Sequence, residues 1–121
     1  MLKASDLRIW NLLEYYISSD NFDWEIFTID WQDIRECEEH NESFNSTHRG
    51  VNITANLLLN LGFIKKNNTP SIELYIKEDF IVRFDPQDKF QFYINGKYIN
   101  IDYVHQLQNL YFALTKNELT L

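Results

Sequence analysis

The chain has 121 residues, 45% hydrophobic and 16% aromatic, which suits one domain built on a single core and argues against disorder. Eleven bases face eighteen acids for a formal charge of −7, and a lone cysteine excludes an internal disulfide and any multi-cysteine metal framework. No apolar run is long enough to span a bilayer and no signal-peptide core opens the chain, so a cytoplasmic protein is expected.

Charge placement says more than its total. Residues 1–50 hold four bases and eleven acids, whereas residues 51–121 hold seven of each. The first half would repel a phosphate backbone, so direct nucleic-acid binding is not expected. A basic protein surface would be attracted to it.

In chain order, residues 1–6 read as a lead-in. Leu13, Tyr15 and Ile17 alternate as a strand does, and Ser18-Ser19-Asp20-Asn21 is turn chemistry. A second strand runs from Trp24 to Ile29, closing an N-terminal hairpin. Asp30 is the expected cap of a short helix whose narrow apolar edge is Trp31, Ile34 and Cys37. Its other side carries Asp33, Glu36 and Glu39, joined by Glu38 and Glu42. Residues 41–50, polar and ending in Gly50, read as a loop. Thr54 caps a second short helix through Asn60, with Ile53 and Leu58 forming a hydrophobic staple. Gly62 sits where a left-handed C-terminal residue is wanted, with Phe63 folding back on Leu58 or Leu59. Residues 65–71 read as a connector.

A four-stranded antiparallel meander follows. A three-residue loop at Lys77-Glu78-Asp79 would pair Ile76 with Phe80, Leu74 with Val82 and Ile72 with Phe84. The next connection, residues 85–89, is set by matching Phe84 with Phe90. Asn95-Gly96 is a two-residue hairpin turn, placing Ile94 opposite Lys97, Phe92 opposite Ile99 and Phe90 opposite Ile101. Tyr75, Ile81, Arg83, Tyr93 and Tyr98 are then expected on the outer face, to pack the N-terminal strands or to meet a partner. Asp102 is the expected cap of a last helix. Its stripe of Tyr103, Val104, Leu107, Leu110, Tyr111 and Leu114 would lie on the meander, leaving His105, Gln106, Gln108 and Asn109 outward and Phe112 off the stripe. The expected class is α+β: this meander with the C-terminal helix packed on one face, plus the N-terminal β-hairpin and two short helices, as one domain over 1–121.

The acidic series Asp33, Glu36, Glu38, Glu39 and Glu42 is the most informative local feature. Carboxylates at helical spacing can occupy a basic groove, with Trp24 and Trp31 as aromatic anchors; a solvated helix face is the plainer reading. Cys37, His40 and His48 are too few and too scattered for structural zinc. No glycine-rich loop or oxyanion arrangement supports a nucleophile, and no carboxylate pair sits in an apolar setting. No cofactor, metal or small-molecule ligand is expected, and no enzyme.

The segment Tyr103-Val104-His105-Gln106-Leu107-Gln108-Asn109-Leu110-Tyr111-Phe112-Ala113-Leu114-Thr115 resembles the C-terminal signature of a family of small proteins from phages and prophages of Bacteroidetes bacteria. Asp6-Leu7-Arg8-Ile9-Trp10-Asn11 is similar to the family's opening motif, with Trp10 where Gly is usual. Ile53-Thr54 and Leu57-Leu58-Leu59-Asn60-Leu61-Gly62-Phe63 are similar to its central helix, without the usual Pro and glutamates. Lys116 stands where Gly is expected after the last helix. The resemblance implies an accessory phage gene product, some of which counter host defence. Within that group the chain resembles anti-CRISPR inhibitors of type VI-B systems, which implies a CRISPR effector nuclease, an RNA-guided ribonucleoprotein with a basic groove, as the host partner. A phage structural or assembly accessory that binds other phage proteins is the alternative.

Overall fold

The structure, a computed structural model, describes residues 1–18, 23–69, 72–85, 89–94 and 96–121. The turn expected at 18–21, the 86–88 part of the meander's second connection and Asn95 fall wholly or partly outside them. The chain divides into two compact units, Met1–Asn52 with Tyr103–Thr120, and Ile53–Asp102 with Leu121. Both helices and strands are present, as the α+β reading requires.

In the first unit, β1 (Leu12–Ser18) lies between β2 (Asp23–Thr28) and β3 (His48–Gly50), all antiparallel. Leu13 pairs with Phe27 and Gly50, so these residues share a sheet face. That face joins Leu2, Leu7, Ile29, Cys37 and Phe44 in one apolar cluster, with Ala4 and Ile34 packed against it. Helix α1 (Trp31–Glu39) supplies Ile34 and Cys37, and α2 (Asn41–Thr47) supplies Phe44.

The sequence reading of 41–50 as a loop is corrected, since α2 and β3 occupy it. Helix α2 buries only Phe44, too little to leave a periodic signal. Tertiary hydrogen bonds hold it instead. Asn45 accepts from Leu2 N at 2.7 Å and donates to Leu2 O at 3.1 Å, and Asn41 donates to Leu2 O at 3.0 Å.

The second unit opens with α3 (Ala55–Asn60), capped as expected by Thr54, whose hydroxyl accepts from Leu57 N at 3.2 Å. Gly62 takes φ +96°, with Gly62 N donating to Leu59 O and Phe63 N to Leu58 O, the paired bonds of a Schellman stop. A five-stranded antiparallel sheet follows: β4 (Ile64–Thr69), β5 (Ile72–Lys77), β6 (Phe80–Asp85), β7 (Lys89–Ile94) and β8 (Lys97–Ile99). The expected connector therefore forms a fifth strand, and Lys65 of β4 meets Glu73 of β5 at 3.2 Å. The last two registers match expectation, with Phe84 opposite Phe90, Phe92 opposite Ile99 and Ile94 opposite Lys97.

The β5–β6 register does not. Lys77 pairs with Phe80 and Tyr75 with Val82, across a two-residue turn in which Glu78 adopts φ +54°. One residue of slip exchanges the faces. Tyr75 is thus buried with Phe80, Val82, Phe92 and Ile94, while Ile81, Arg83, Tyr93 and Tyr98 keep the other side.

Helix α4 (Val104–Thr115) belongs to the first unit and packs on β1. The sequence placed it on the meander. Its cap is Tyr103 rather than Asp102, because Val51 O accepts from Val104 N at 2.9 Å and Gln106 Oε1 from Tyr103 N at 3.0 Å. His105 and Gln108, expected outward, are buried beside Val104, Leu107 and Tyr111, whereas Leu114 is 55% exposed. Gln108 Oε1 accepts from Leu12 N at 2.8 Å, and its amide donates to Trp10 O at 3.0 Å and Leu119 O at 2.9 Å. Phe112 lies under the Arg8 guanidinium at 3.8 Å.

Candidate functional site

Helix α1 starts as its sequence dictates. Asp30 Oδ1 accepts from Gln32 N and Asp33 N, and Asp33 Oδ2 accepts in return from Asp30 N at 2.9 Å, a reciprocal capping box. Asp33 is thereby committed to the cap. Burial is the largest influence on its carboxyl and pushes it above the usual carboxylate range.

Beyond the cap, about 100° of turn per residue sends Ile34 and Cys37 inward and the remaining residues outward. Trp31, the first helical residue, is 56% exposed although the sequence placed it on the apolar edge. Further along the helix Arg35, Glu36, Glu38 and Glu39 are exposed, with Glu42 following at the start of α2. Arg35 pairs with Glu39 at 3.0 Å, an exposed i,i+4 contact worth about 0.3–0.5 kcal/mol. Among the described residues Glu36, Glu38 and Glu42 have no cationic partner. Glu38 also lines a shallow groove with Lys3, Ile34 and Asn41.

Trp24 is not part of this surface. It pairs with Tyr16, on the sheet face opposite Leu13 and Phe27, and hence opposite the face that packs on α1. There the Arg49 guanidinium sits 3.9 Å over its ring while bonding to Glu14, and the Tyr16 ring centroid is 5.3 Å away. Of the sequence-expected anchors, only Trp31 accompanies the acidic series.

Cys37, His40 and His48 are likewise separated by role. Cys37 Sγ contacts Leu2 O from within the core, and burial pushes its thiol up. His40 joins α1 to α2 and is exposed. His48 stacks on Phe44 at 3.9 Å with Nδ1 at 3.0 Å from Phe44 O. Among the described residues no group of three or more His, Cys, Asp or Glu side chains is placed to hold a metal ion.

A feature that sequence reasoning missed lies at the open edge of β3. A cavity of about 410 Å³ is lined by Leu2, Asp6, Asn45, His48, Gly50, Tyr103, His105 and Gln106, together with Met1 and Arg49. Tyr103 and His105 stack nearly parallel, 5.8 Å between centroids and 10° between planes. A Cβ on Gly50 would lie 2.7 Å from Tyr103 Cγ and 3.2 Å from His105 Cε1, so only glycine lets the strand approach these rings. His105 is 3% exposed and its Nδ1 has no hydrogen-bond partner among the described residues. Burial lowers the imidazole's proton affinity, and the Asp6 carboxylate acts the other way. No local motif announces this cavity; only the pairing of an unexplained glycine with a Tyr-x-His step hints at it.

Comparison with protein-family models, curated protein sequences and solved structures finds no match.

Proposed function

We propose that this chain is a non-enzymatic, phage-encoded inhibitor that binds a basic surface of a host defence ribonucleoprotein, an RNA-guided CRISPR effector nuclease of type VI-B in the first instance. The observation that supports this is the surface of α1. An exposed Trp31 opens the helix whose outer side carries Glu36, Glu38 and Glu39, with Glu42 following, and Glu36, Glu38 and Glu42 lack any cationic partner among the described residues. An exposed tryptophan is the residue type through which few side chains carry most of a binding energy. The unit bearing it has five bases against twelve acids, whereas the second unit is balanced with six of each. Long-range attraction would then set the association rate, and burial of Trp31 the dissociation rate. The partner class comes from the sequence resemblance carried by residues 103–115.

The test is a pull-down and a kinetic binding assay against that nuclease, with and without guide RNA. Reversing Glu36, Glu38 and Glu42 to Lys should slow association and abolish its salt dependence while circular dichroism stays unchanged. Trp31→Ala should speed dissociation. A triple variant that inhibits like wild type defeats the reading.

One observation favours the alternative, a phage assembly accessory. Ile64, Ile76, Ile81, Tyr93 and Tyr98 are successive cross-strand partners, so one apolar row traverses all five strands of the second unit. Ile64, Ile81 and Tyr98 are exposed. Light scattering behind size exclusion separates the two: a stable homo-oligomer that Ile64→Lys dissociates, with no host partner captured, supports the accessory.

A further inference from the structure

We infer that the sheet face carrying Ile64, Ile81 and Tyr98 docks helix α1 of a second copy of this chain, its apolar row against Trp31 and its basic row against the carboxylates. The contact goes beyond the host partner proposed above, because both surfaces belong to this chain and nothing else is needed to form it.

Three features choose this occupant. The first is the apolar strip itself. Ile64, Ile81 and Tyr98 are 65%, 40% and 58% exposed, on the row that crosses all five strands. Continuity of this kind marks an interface, whereas singly scattered apolar residues do not. The second is the row beside it. Two residues along from the apolar row, Lys66, Leu74, Arg83 and Gln91 are cross-strand partners in turn and share its face. Among the described residues neither Lys66 nor Arg83 has an anionic partner. Only beyond this row does the register set Asp85 opposite Lys89, one charge of each sign.

The third is what the chain offers in return. Helix α1 opens on Trp31, and Glu38, seven residues on, falls on the same side at about 100° per residue. Glu36, Glu38 and Glu42 are exposed and lack a cationic partner among the described residues. Adjacent rows of the sheet face stand about 7 Å apart, and Trp31 and Glu38 about 10 Å along the helix axis. A tryptophan seated on the apolar strip therefore brings a carboxylate within side-chain reach of Lys66 or Arg83. Two sheet faces laid together would instead set these cations against their own kind, which is repulsive. The −7 of the chain works against a nucleic acid or an anionic membrane as occupant. Self-association of this form covers α1, so a basic partner would compete with the second copy for it.

The experiment is sedimentation velocity of the whole chain over a concentration series, at low and at high salt. No nuclease is present, so failure here and failure to bind the nuclease are separate results. Wild type should associate reversibly, and less at high salt. Ile64→Glu with Lys66→Glu reverses the sheet side, and Glu36→Lys with Glu38→Lys and Glu42→Lys reverses the helix side. All these positions are exposed, so each variant should keep the wild-type circular dichroism. Lys66→Glu by itself gives the same direction should the Ile64 change disturb its strand. Each variant alone should weaken association about tenfold or more, which corresponds to about 1.4 kcal/mol. An equimolar mixture of the two should regain it, because one supplies an intact helix and the other an intact sheet face. A wild type that stays monomeric, a helix variant that associates like wild type (the mark of a sheet-to-sheet pair), or a mixture that stays monomeric would each overturn the contact.

Discussion

Gln108 is the point at which the C-terminal helix is fastened, and Gln108→Met tests that directly. The substitution keeps most of the side-chain volume and deletes both polar ends of a residue that is 1% exposed. Three backbone groups then lose their partner: the amide of Leu12 and the carbonyls of Trp10 and Leu119. The Leu12 and Leu119 bonds are fully buried, so water cannot replace them. At about 1–3 kcal/mol for each stranded buried group, and less for the partly buried Trp10 carbonyl, the loss is about 3–5 kcal/mol. Against a typical total of about 5–15 kcal/mol this is a large fraction. With a urea slope of about 1–3 kcal/mol per molar, the midpoint should fall by about 2 M. Gln108→Glu is the control. It retains the acceptor for Leu12 N but turns a carboxylate toward two carbonyls, so it should be at least as destabilising at pH 7 and recover in part on acidification. The measurement is urea unfolding by far-ultraviolet circular dichroism. A Gln108→Met midpoint within about 0.5 M of wild type would refute the role.

Three further outcomes follow from backbone strain and burial. Lys116 ends α4 at φ +64°, so Lys116→Gly should stabilise by about 0.5–1 kcal/mol, read as a higher melting temperature. Trp10 holds φ +81° while 53% exposed, so Trp10→Gly should be about 1 kcal/mol more stable than Trp10→Ala in urea unfolding. Tyr75, buried and donating to Glu73 at 2.7 Å, has its phenol pushed from 10.0 up to about 12, chiefly by burial and then by that carboxylate. The stability that its neutral form contributes is whole below pH 10 and is lost as pH rises toward 12. Melting curves for Tyr75→Phe should therefore decline less between pH 9 and pH 12 than those of wild type.

What could be read beforehand was whatever a few neighbouring residues decide. Asp30 with Asp33, Thr54 with Leu57, and Gly62 with Phe63 are local bargains between side chain and backbone, and each stands as expected. The Phe84–Phe90 and Phe92–Ile99 registers came from matching apolar faces. The failures are places where distant chain decides. Helix α2 is held by Leu2, far away in sequence, and β4 forms because β5 offers it an edge. The β5–β6 turn slipped by one residue because Glu78 takes a left-handed conformation that nothing about glutamate advertises. Helix α4 was misjudged for a related reason. Periodicity assumes one apolar face and one wet face, yet Gln108 and His105 are buried by backbone contacts and by Gly50.

The candidate surface was half legible for the same reason. Spacing predicts that carboxylates share the outer side of α1, and they do, apart from the one that caps it. Spacing cannot say which face of a neighbouring sheet the helix will cover, and that choice separates Trp24 from Trp31. The charge imbalance itself survives in a sharper form. It divides along the boundary between the two units, because the returning segment 103–120 adds one base and one acid and leaves the first unit at −7. A fold that closes its N-terminal sheet with a polar-cored C-terminal helix can keep that charge without neutralising it. The helix fastens through Gln108, Asn109 and Asn11, whose hydrogen bonds need no counter-charge. Among the described residues the carboxylates of α1 are thus free of structural duty beyond Asp33 and the Arg35–Glu39 pair, which is the condition that the proposed basic partner requires.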